Sequence, residues 1–559
     1  MGNKLRPENK RACQCVYMSI LQLGSAALSK EDNWLCVATV RAIDVAACPG
    51  GMAQVMRNLL LQMFGQAPNL HLSGITLDLH SGESFRLVAN FDCMLGDESA
   101  LHAVWRCKGS GGVKCCLQCM NILNNNILLS QHLEGAVLLK EFTQVRSLEG
   151  CVKHSKATIL SIVDRLQDAS QEVERGRLQK YKLTQMETDL GWNHCRHNLL
   201  LHPTLRQVVD PTAQNCYDWC HNILQGMFQW VLYSVVYALS KSKIKPAHLH
   251  ASLLQYRFPK RAESKHVTGV DMFNPKRSSG SWEAKTWRCQ ASEALSIHPV
   301  VAHYLHTEVM AKGLHVAECK CFIQMSTMIH MLWHGPKLNI PENAVSRSVE
   351  AFLESYVECW GTSGMFWKFH GILHHSEAVR KYGFSPNTLA LERKHKSVLK
   401  WAEQHQATTH TVIREVLSRS LFALHEAPWL DTSVGLVNPS VARGKYKDFL
   451  DSAMGDTLRH MVAGKCRFNK YDVAMNGDYC AVQAGSSWIL VQVFFFASTE
   501  GVPYLAGQKY KLISRGKWHS VWEQDGDAEL WDVDDILEVL VYKILDRGIQ
   551  VLHPLRLVA

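Results

Sequence analysis

The stretch 101-LHAVWRCKGSGGVKCCLQCMN-121 sets Cys107, Cys115, Cys116 and Cys119 within thirteen residues. Cys116-Leu-Gln-Cys119 has the two-residue spacing that lets two thiolates hold one tetrahedral Zn²⁺. Two thiolates make half a site. Cys107, Cys115, His194, His197, His221, His370 and His374 are the candidate partners for the other half. The chain holds nineteen cysteines and 28 histidines, so suitable spacings also arise by chance. Buried thiols packed beside Trp105 and Leu117 are the alternative.

In 366-FWKFHGILHHSEAVRKYGF-384, His370 and His374 are four apart and share a helix face, as ligands or as a polar seam. No glutamate stands between them, which excludes a zinc-peptidase motif. In 389-LALERKHKSVLKWAEQH-405, Glu392 is followed by Arg393, Lys394, His395, Lys396 and Lys400. A carboxylate beside such bases suits a divalent cation with phosphates held alongside; a surface lattice of ion pairs is the alternative. Asp97 closes a predicted strand, where carboxylates bind Mg²⁺ for phosphoryl transfer, and it equally suits the N-cap of a helix over 98–107.

These residues need elements to position them. Residues 13–24 and 34–43 read as strands, 50–65 as a helix between glycines, and 70–80 with 84–95 as a strand pair around a short turn. That order is an α/β layer with its functional edge at strand ends. From about 127 to 185 the pattern is helical, with a solvated face at 164–183. A buried helix over 215–243 starts at Asn215 or Asp218. Residues 257–288, with Lys276 and Arg277, read as a long exposed loop whose bases outnumber its acids. Helices return from 289 to about 427. The segments are therefore 1–125, an α/β core; 126–360, a mainly helical insertion; 361–427, a helical return carrying Glu392; 428–465, a linker; and 466–559, a small, separate β-rich, barrel-like domain.

Apolar residues make up 47% and charged residues 20% of the 559-residue chain, a globular composition rather than a disordered one. The net charge of +9 permits a polyanionic partner without requiring one. The start, MGNKLRPENKRACQC, lacks the apolar core of a secretion signal, so the cysteines read as reduced thiols or metal ligands rather than a disulfide framework. The longest apolar runs, 230–239 and 488–497, are about half the ~20 residues that cross a bilayer. No internal repeat, P-loop or dinucleotide fingerprint is present.

Three blocks together resemble a known family. The run 85-FRLVANFDCMLGDESALHAVWRCKGSGGVKCCLQC-119 resembles the segment of CACTA-type (En/Spm-like) DDE transposases in which a strand delivers the second catalytic Asp, followed by a short helix, a Lys-Gly step and a Cys-x-x-Cys. The block 217-YDWCHNILQG-226 resembles that family's Asp-x-Met-His block, with Cys220 where Met is usual. The run 367–400 resembles its Lys-Phe-His block and the helix bearing the last acid. The blocks span about residues 1 to 425 in order, closest to transposase-derived proteins abundant in some protist genomes. The resemblance implies an RNase H-like mixed sheet with a large helical insertion, in which three carboxylates bind two Mg²⁺ or Mn²⁺ ions and cut DNA by in-line attack on phosphorus. It makes Asp97 the second acid and Glu392 the third, and gathers Cys116, Cys119 and His221 in a structural zinc or polar cluster, with Cys107, Cys115, His370 and His374 as alternates. It also implies DNA as partner and the nucleus as location.

In that family the first acid lies on a strand ahead of residue 13, and this chain begins about where that strand should have ended. Asp44 and Asp78 are the available substitutes, and neither is on the expected strand. Losing a ligand shared by both ions removes cleavage. The expectation is therefore a transposase-derived protein that binds DNA without cutting it, with the 257–288 loop (Lys276, Arg277) and Arg393, Lys394, Lys396 and Lys400 as phosphate contacts. Two other functions fit the sequence. One is a chromatin scaffold whose 466–559 domain, faintly similar to bromo-adjacent-homology modules, binds a protein partner. The other is a zinc-dependent hydrolase, which needs a metal with an open position and a nearby carboxylate.

Overall fold

A computed structural model describes residues 13–78, 81–124, 138–258, 270–404, 414, 416–420, 433–455, 459–469, 472–516 and 518–553, with backbone only over 399–404. The chain is mixed α/β and divides into two units, 1–227 with 341–429 and 228–340 with 430–559. Both units are discontinuous in sequence, which a segment-by-segment reading of the chain could not reveal.

The first unit opens with β1 (Cys13–Met18) and β2 (Leu35–Arg41), paired antiparallel with Cys15 opposite Thr39 and Tyr17 opposite Cys36 across a bulge. Because side chains alternate along a strand, Cys13, Cys15, Tyr17, Thr39 and Cys36 share one face. A second hairpin joins β3 (Ile75–Asp78) to β4 (Ser84–Leu87). The strand expected over 84–95 stops at Leu87. A separate short strand, β5 (Met94–Gly96), follows and pairs in parallel with β6 (Asn215–Tyr217), in register Met94↔Asn215, Leu95↔Cys216, Gly96↔Tyr217. Residues 215–217 were expected to begin a helix. Their side chains are all buried, and a strand satisfies their backbone through pairing with β5.

Asp97 N-caps α1 (Glu98–Trp105), accepting from the Ala100 N–H at 2.6 Å. A full capping box at Ser155 starts the helix Lys156–Glu174. The later part of the unit supplies α2 (Lys368–Gly371), α3 (His374–Tyr382) and α4 (Leu389–Gln404). Leu28, Trp34, Phe384 and Ala390 pack into one buried cluster, joining the first hairpin to the start of α4.

The second unit holds helices Ala291–Tyr304 and Val316–Leu338 and an antiparallel sheet. In that sheet β7 (His460–Ala463), β8 (Ser487–Thr499), β9 (Val502–Arg515) and β10 (His519–Asp532) are neighbours in that order. The β8–β9 turn is Glu500-Gly501, both with positive φ (51° and 87°), the two-residue geometry that matches strand twist and explains the glycine. One face of the sheet buries Val482, Val491, Val493, Phe496 and Leu505. Lys337 bridges Asp472 and Glu538, tying helix to sheet.

Of the expected linker 428–465, the described residues 433–455 and 459–465 belong to this β-rich region. Gly435–Leu436 pairs with Lys465–Arg467, Ser440–Val441 pairs with β7, and Lys445–Met454 is a helix. Part of the expected basic loop is also ordered, since Asn274 caps the helix Pro275–Ala284, and residues 259–269 of that loop lie outside the described residues. Among the described residues one helix, Cys220–Lys241, is long and apolar enough to cross a membrane, but 56% of its most apolar window is buried, as in a core helix.

Candidate metal centre and acid cluster

Cys116 and Cys119 lie in a knuckle held open by backbone pairing: Met120 N–H donates to Val152 O at 2.9 Å and His154 N–H to Gln118 O at 2.8 Å. Gly109, two residues after Cys107, has φ +55°, and a Cβ there would lie 2.0 Å from the His102 ring, so the Lys-Gly-Ser-Gly-Gly approach requires glycine. The Gln118 and Cys119 N–H groups each donate to the Cys116 sulfur at 3.3 Å, which favours a thiolate.

Facing this pair are His370 on α2 and His374 on α3. The ligand atoms of Cys116, Cys119, His370 and His374 all lie within 4.8 Å of one another, and all four side chains are buried. His374 Nε2 is 3.4 Å from the Cys116 sulfur, 3.7 Å from the Cys119 sulfur and 3.3 Å from His370 Nε2. A tetrahedral zinc with its usual bond lengths would separate two nitrogens by about 3.4 Å and a sulfur from a nitrogen by about 3.6 Å. The donor set and its spacing therefore fit a metal such as zinc. Glu377 Oε2 lies 2.8 Å from His374 Nδ1 and accepts from Lys153 at 2.6 Å, an outer carboxylate that leaves His374 Nε2 as the donor atom. Burial works against charge on Cys116, but its hydrogen bond with Cys119 and the two histidines outweigh it and lower the thiol.

Two alternates proposed from sequence, His370 and His374, thus complete the centre, and His221 does not belong to it. Cys107 and Cys115 are outside it too. Burial pushes the Cys107 thiol up to about 12 and raises that of Cys115 well above its ordinary value, as for packed thiols. The four-residue spacing of His370 and His374 was the available signal, and what no sequence pattern supplied was the partner of that face.

His221 lies in a second cluster. β5 and β6 run parallel, and the residues that follow them are Asp97 and Asp218, so two carboxylates leave neighbouring strands at the same end. Asp218 is buried. Its Oδ1 accepts from Cys220 N–H and Thr388 N–H, both at 3.0 Å, and its Oδ2 from His221 N–H at 3.2 Å and the Thr388 hydroxyl at 2.6 Å. Oδ2 also contacts His221 Nδ1, and His221 Nε2 reaches Glu392 on α4 at 3.1 Å. Burial opposes charge on His221, but its hydrogen bonds to Asp218 and Glu392 raise it to about 10. Asp218 stays below the ordinary carboxylate range because these bonds outweigh its burial, and the bond from His221 lowers Glu392. Lys368 donates to His221 O at 2.8 Å, and burial holds its ammonium below the ordinary lysine value although Glu98, Asp97 and Asp218 favour the charge. Beside it, burial raises Glu98 to about 7.

Glu392 is thus in this cluster, and Asp97 borders it while serving as an N-cap. From sequence, Asp218 reads as a helix start and as the Asp of the block resembling Asp-x-Met-His, and not as one of the cluster's acids. Of the proposed phosphate contacts, Lys394 is buried and donates to Glu31 O at 3.0 Å, which removes it as a surface base. Arg393 is exposed and paired with Glu31 at 2.7 Å, and Lys396 is exposed. Arg277 makes a two-pronged bond to Glu293 at 2.6 and 3.0 Å, beside exposed Lys276. The Lys400 side chain lies outside the described residues. Asp78 accepts from the Ser84 hydroxyl within its own hairpin, and Asp44 sits in the short helix Ala42–Ala47. No protein-family model, curated protein or solved structure matches the chain.

Proposed function

We propose that the first unit is a transposase-derived DNA-binding core whose acids are Asp97, Asp218 and Glu392, at rest in a form that does not cut. The observation carrying this reading is the parallel pairing of β5 and β6, which brings two carboxylates to adjacent strand ends while a third arrives on a helix. Such a trio suits two divalent cations, Mg²⁺ or Mn²⁺, in phosphoryl transfer. In this assignment Asp97 takes the role of first acid and Asp218 that of second, in place of the second-acid role the family resemblance gives Asp97.

The closed state follows from the hydrogen bonds. Every acceptor position of Asp218 is occupied, and the His221 imidazolium lies between Asp218 and Glu392, where a cation would need to bind. Exposed Lys396 and Arg393 border the same helix and are the phosphate contacts. The Cys116/Cys119/His370/His374 centre is structural in this reading, because four protein ligands leave a zinc ion no open position for water, which a hydrolase requires.

The test is fluorescence anisotropy of the full chain with a labelled duplex across a salt series, together with cleavage of the same duplex in Mn²⁺. The expected result is affinity that falls with salt, a shallower slope for Arg393→Ala/Lys396→Ala, and no cleavage above that of Glu392→Gln. Absence of salt-dependent binding would contradict the reading. Cleavage abolished by Glu392→Gln and Asp97→Asn would support the acid assignment and overturn the closed state.

A further inference from the structure

A second group of thiols lies on the shared face of the first hairpin and is used by neither site. Cys15 and Cys36 are on adjacent antiparallel strands, on one face and diagonal across the bulge, and the Cys36 thiol donates to the Ala38 carbonyl at 3.6 Å. Thr39 Oγ1 is 3.3 Å from the Cys15 sulfur. From α4, His395 reaches this face, with the Tyr17 hydroxyl 3.4 Å from His395 Nδ1. Cys36 is buried, whereas Cys15 is half-buried and within reach of a small solute. Among the described residues, the groups whose ligand atoms converge as a metal site would are the Cys116 centre and the Asp218/Cys220/His221 group. Cys15, Cys36 and His395 are not among them, so their arrangement suits thiol chemistry better than ligation.

We propose that Cys15 and Cys36 form an oxidisable dithiol, with Cys15 as the thiol that reacts with a hydroperoxide and Cys36 as the one that resolves it. The proximity of Cys36, His395 and Thr39 lowers the Cys15 thiol to about 5 despite its burial, while proximity to Cys15 together with burial raises Cys36. The nucleophile is therefore the thiolate of Cys15 and the proton stays on Cys36. The Cys15 thiolate attacks one peroxide oxygen: an S–O bond forms, the O–O bond breaks, and the released hydroxide or alkoxide takes up a proton. The sulfur is oxidised and the peroxide reduced. Cys36 then attacks the Cys15 sulfenic acid. An S–S bond forms, the S–O bond breaks, and the hydroxide leaves as water with the Cys36 proton. The product cross-links β1 to β2 and removes the thiolate partner of His395, which lies one helical turn beyond Glu392.

The experiment treats the reduced full chain with limiting hydrogen peroxide, alkylates the remaining thiols and maps every cysteine by mass spectrometry. A Cys15–Cys36 peptide that forms before other cysteines are oxidised and disappears on reduction is expected. Cys36→Ser should halt at a dimedone-reactive sulfenic acid on Cys15, Cys15→Ser should leave Cys36 alkylatable at the same dose, and His395→Gln should slow the reaction by about tenfold as thiolate character falls. Cys15 and Cys36 both remaining alkylatable in the wild-type chain while Cys116, Cys119 or Cys151 oxidises would overturn the proposal, and so would either pairing with a third cysteine. Because the wild-type map decides the outcome, a variant that fails to fold does not shield the proposal.

Discussion

The Cys/His centre and the acid cluster have opposite electrostatic completeness. In the first, four buried donor atoms face one another across distances that suit a bound cation. In the second, the negative charge of Asp218 and Glu392 is already balanced by an internal cation, His221, and by a set of N–H and O–H donors. The first has a donor set that could bind a metal such as zinc, and the second is balanced by its own residues. A list of metal-capable residues would not separate them. The backbone and hydroxyl donors around Asp218 do.

The largest expected effect comes from opening the Cys/His centre. Cys116→Ser or His374→Ala should abolish stoichiometric metal and destabilise the fold by more than about 3 kcal/mol, since metal binding to such sites is coupled to folding. Metal analysis alongside thermal unfolding checks this, and a strong chelator should lower the Tm of the wild-type chain but not of the variants. Cys107→Ala, a packed thiol outside the centre, should keep the metal.

Removing the internal cation comes next. His221→Gln should cost about 3 kcal/mol, because it leaves the buried Asp218 charge short of its partner. The pH dependence has a definite sign. The folded pKa of His221, about 10, lies above its ordinary value of 6.5. Its contribution to stability is therefore complete below pH 6.5 and is lost as pH rises from there through 10. Wild-type stability should fall relative to His221→Gln over that window, and a constant difference between the two chains would exclude the charged bridge.

Smaller effects sharpen the comparison. Thr388→Val deletes the hydroxyl that donates to Asp218 at 2.6 Å and should cost about 1–2 kcal/mol in chemical denaturation. Asp97→Ala removes an N-cap and should cost about 1 kcal/mol, while Asp97→Asn keeps most of the cap and separates that role from any part in cation binding. Arg277→Ala, at a half-exposed ion pair, should change stability by less than about 1 kcal/mol.

Local patterns made part of this legible. The strands at β1 and β2, the helix starts at Asp97 and Asp218, the Cys116/Cys119 pair and the shared face of His370 and His374 follow from spacing and capping chemistry. The partner of each half-site did not. Cys119 and His370 are 251 positions apart, and nothing in the local pattern of either encodes that the knuckle meets α2. The same limit hid β5 and β6, strands of three residues whose pairing spans more than a hundred positions and whose existence depends on it. Lys394 was misread for a further reason: a lysine on a helix looks exposed until its neighbour is known, and Lys394 reaches the Glu31 carbonyl.

The most direct test of this contrast is X-ray absorption at the zinc edge of the purified, zinc-replete full chain. The account predicts one tightly held zinc with two sulfur ligands at about 2.3 Å and two nitrogen ligands at about 2.0 Å, the same first shell in His221→Gln, and no stoichiometric zinc in His374→Ala. Oxygen-dominated coordination, or a first shell altered by His221→Gln, would contradict it.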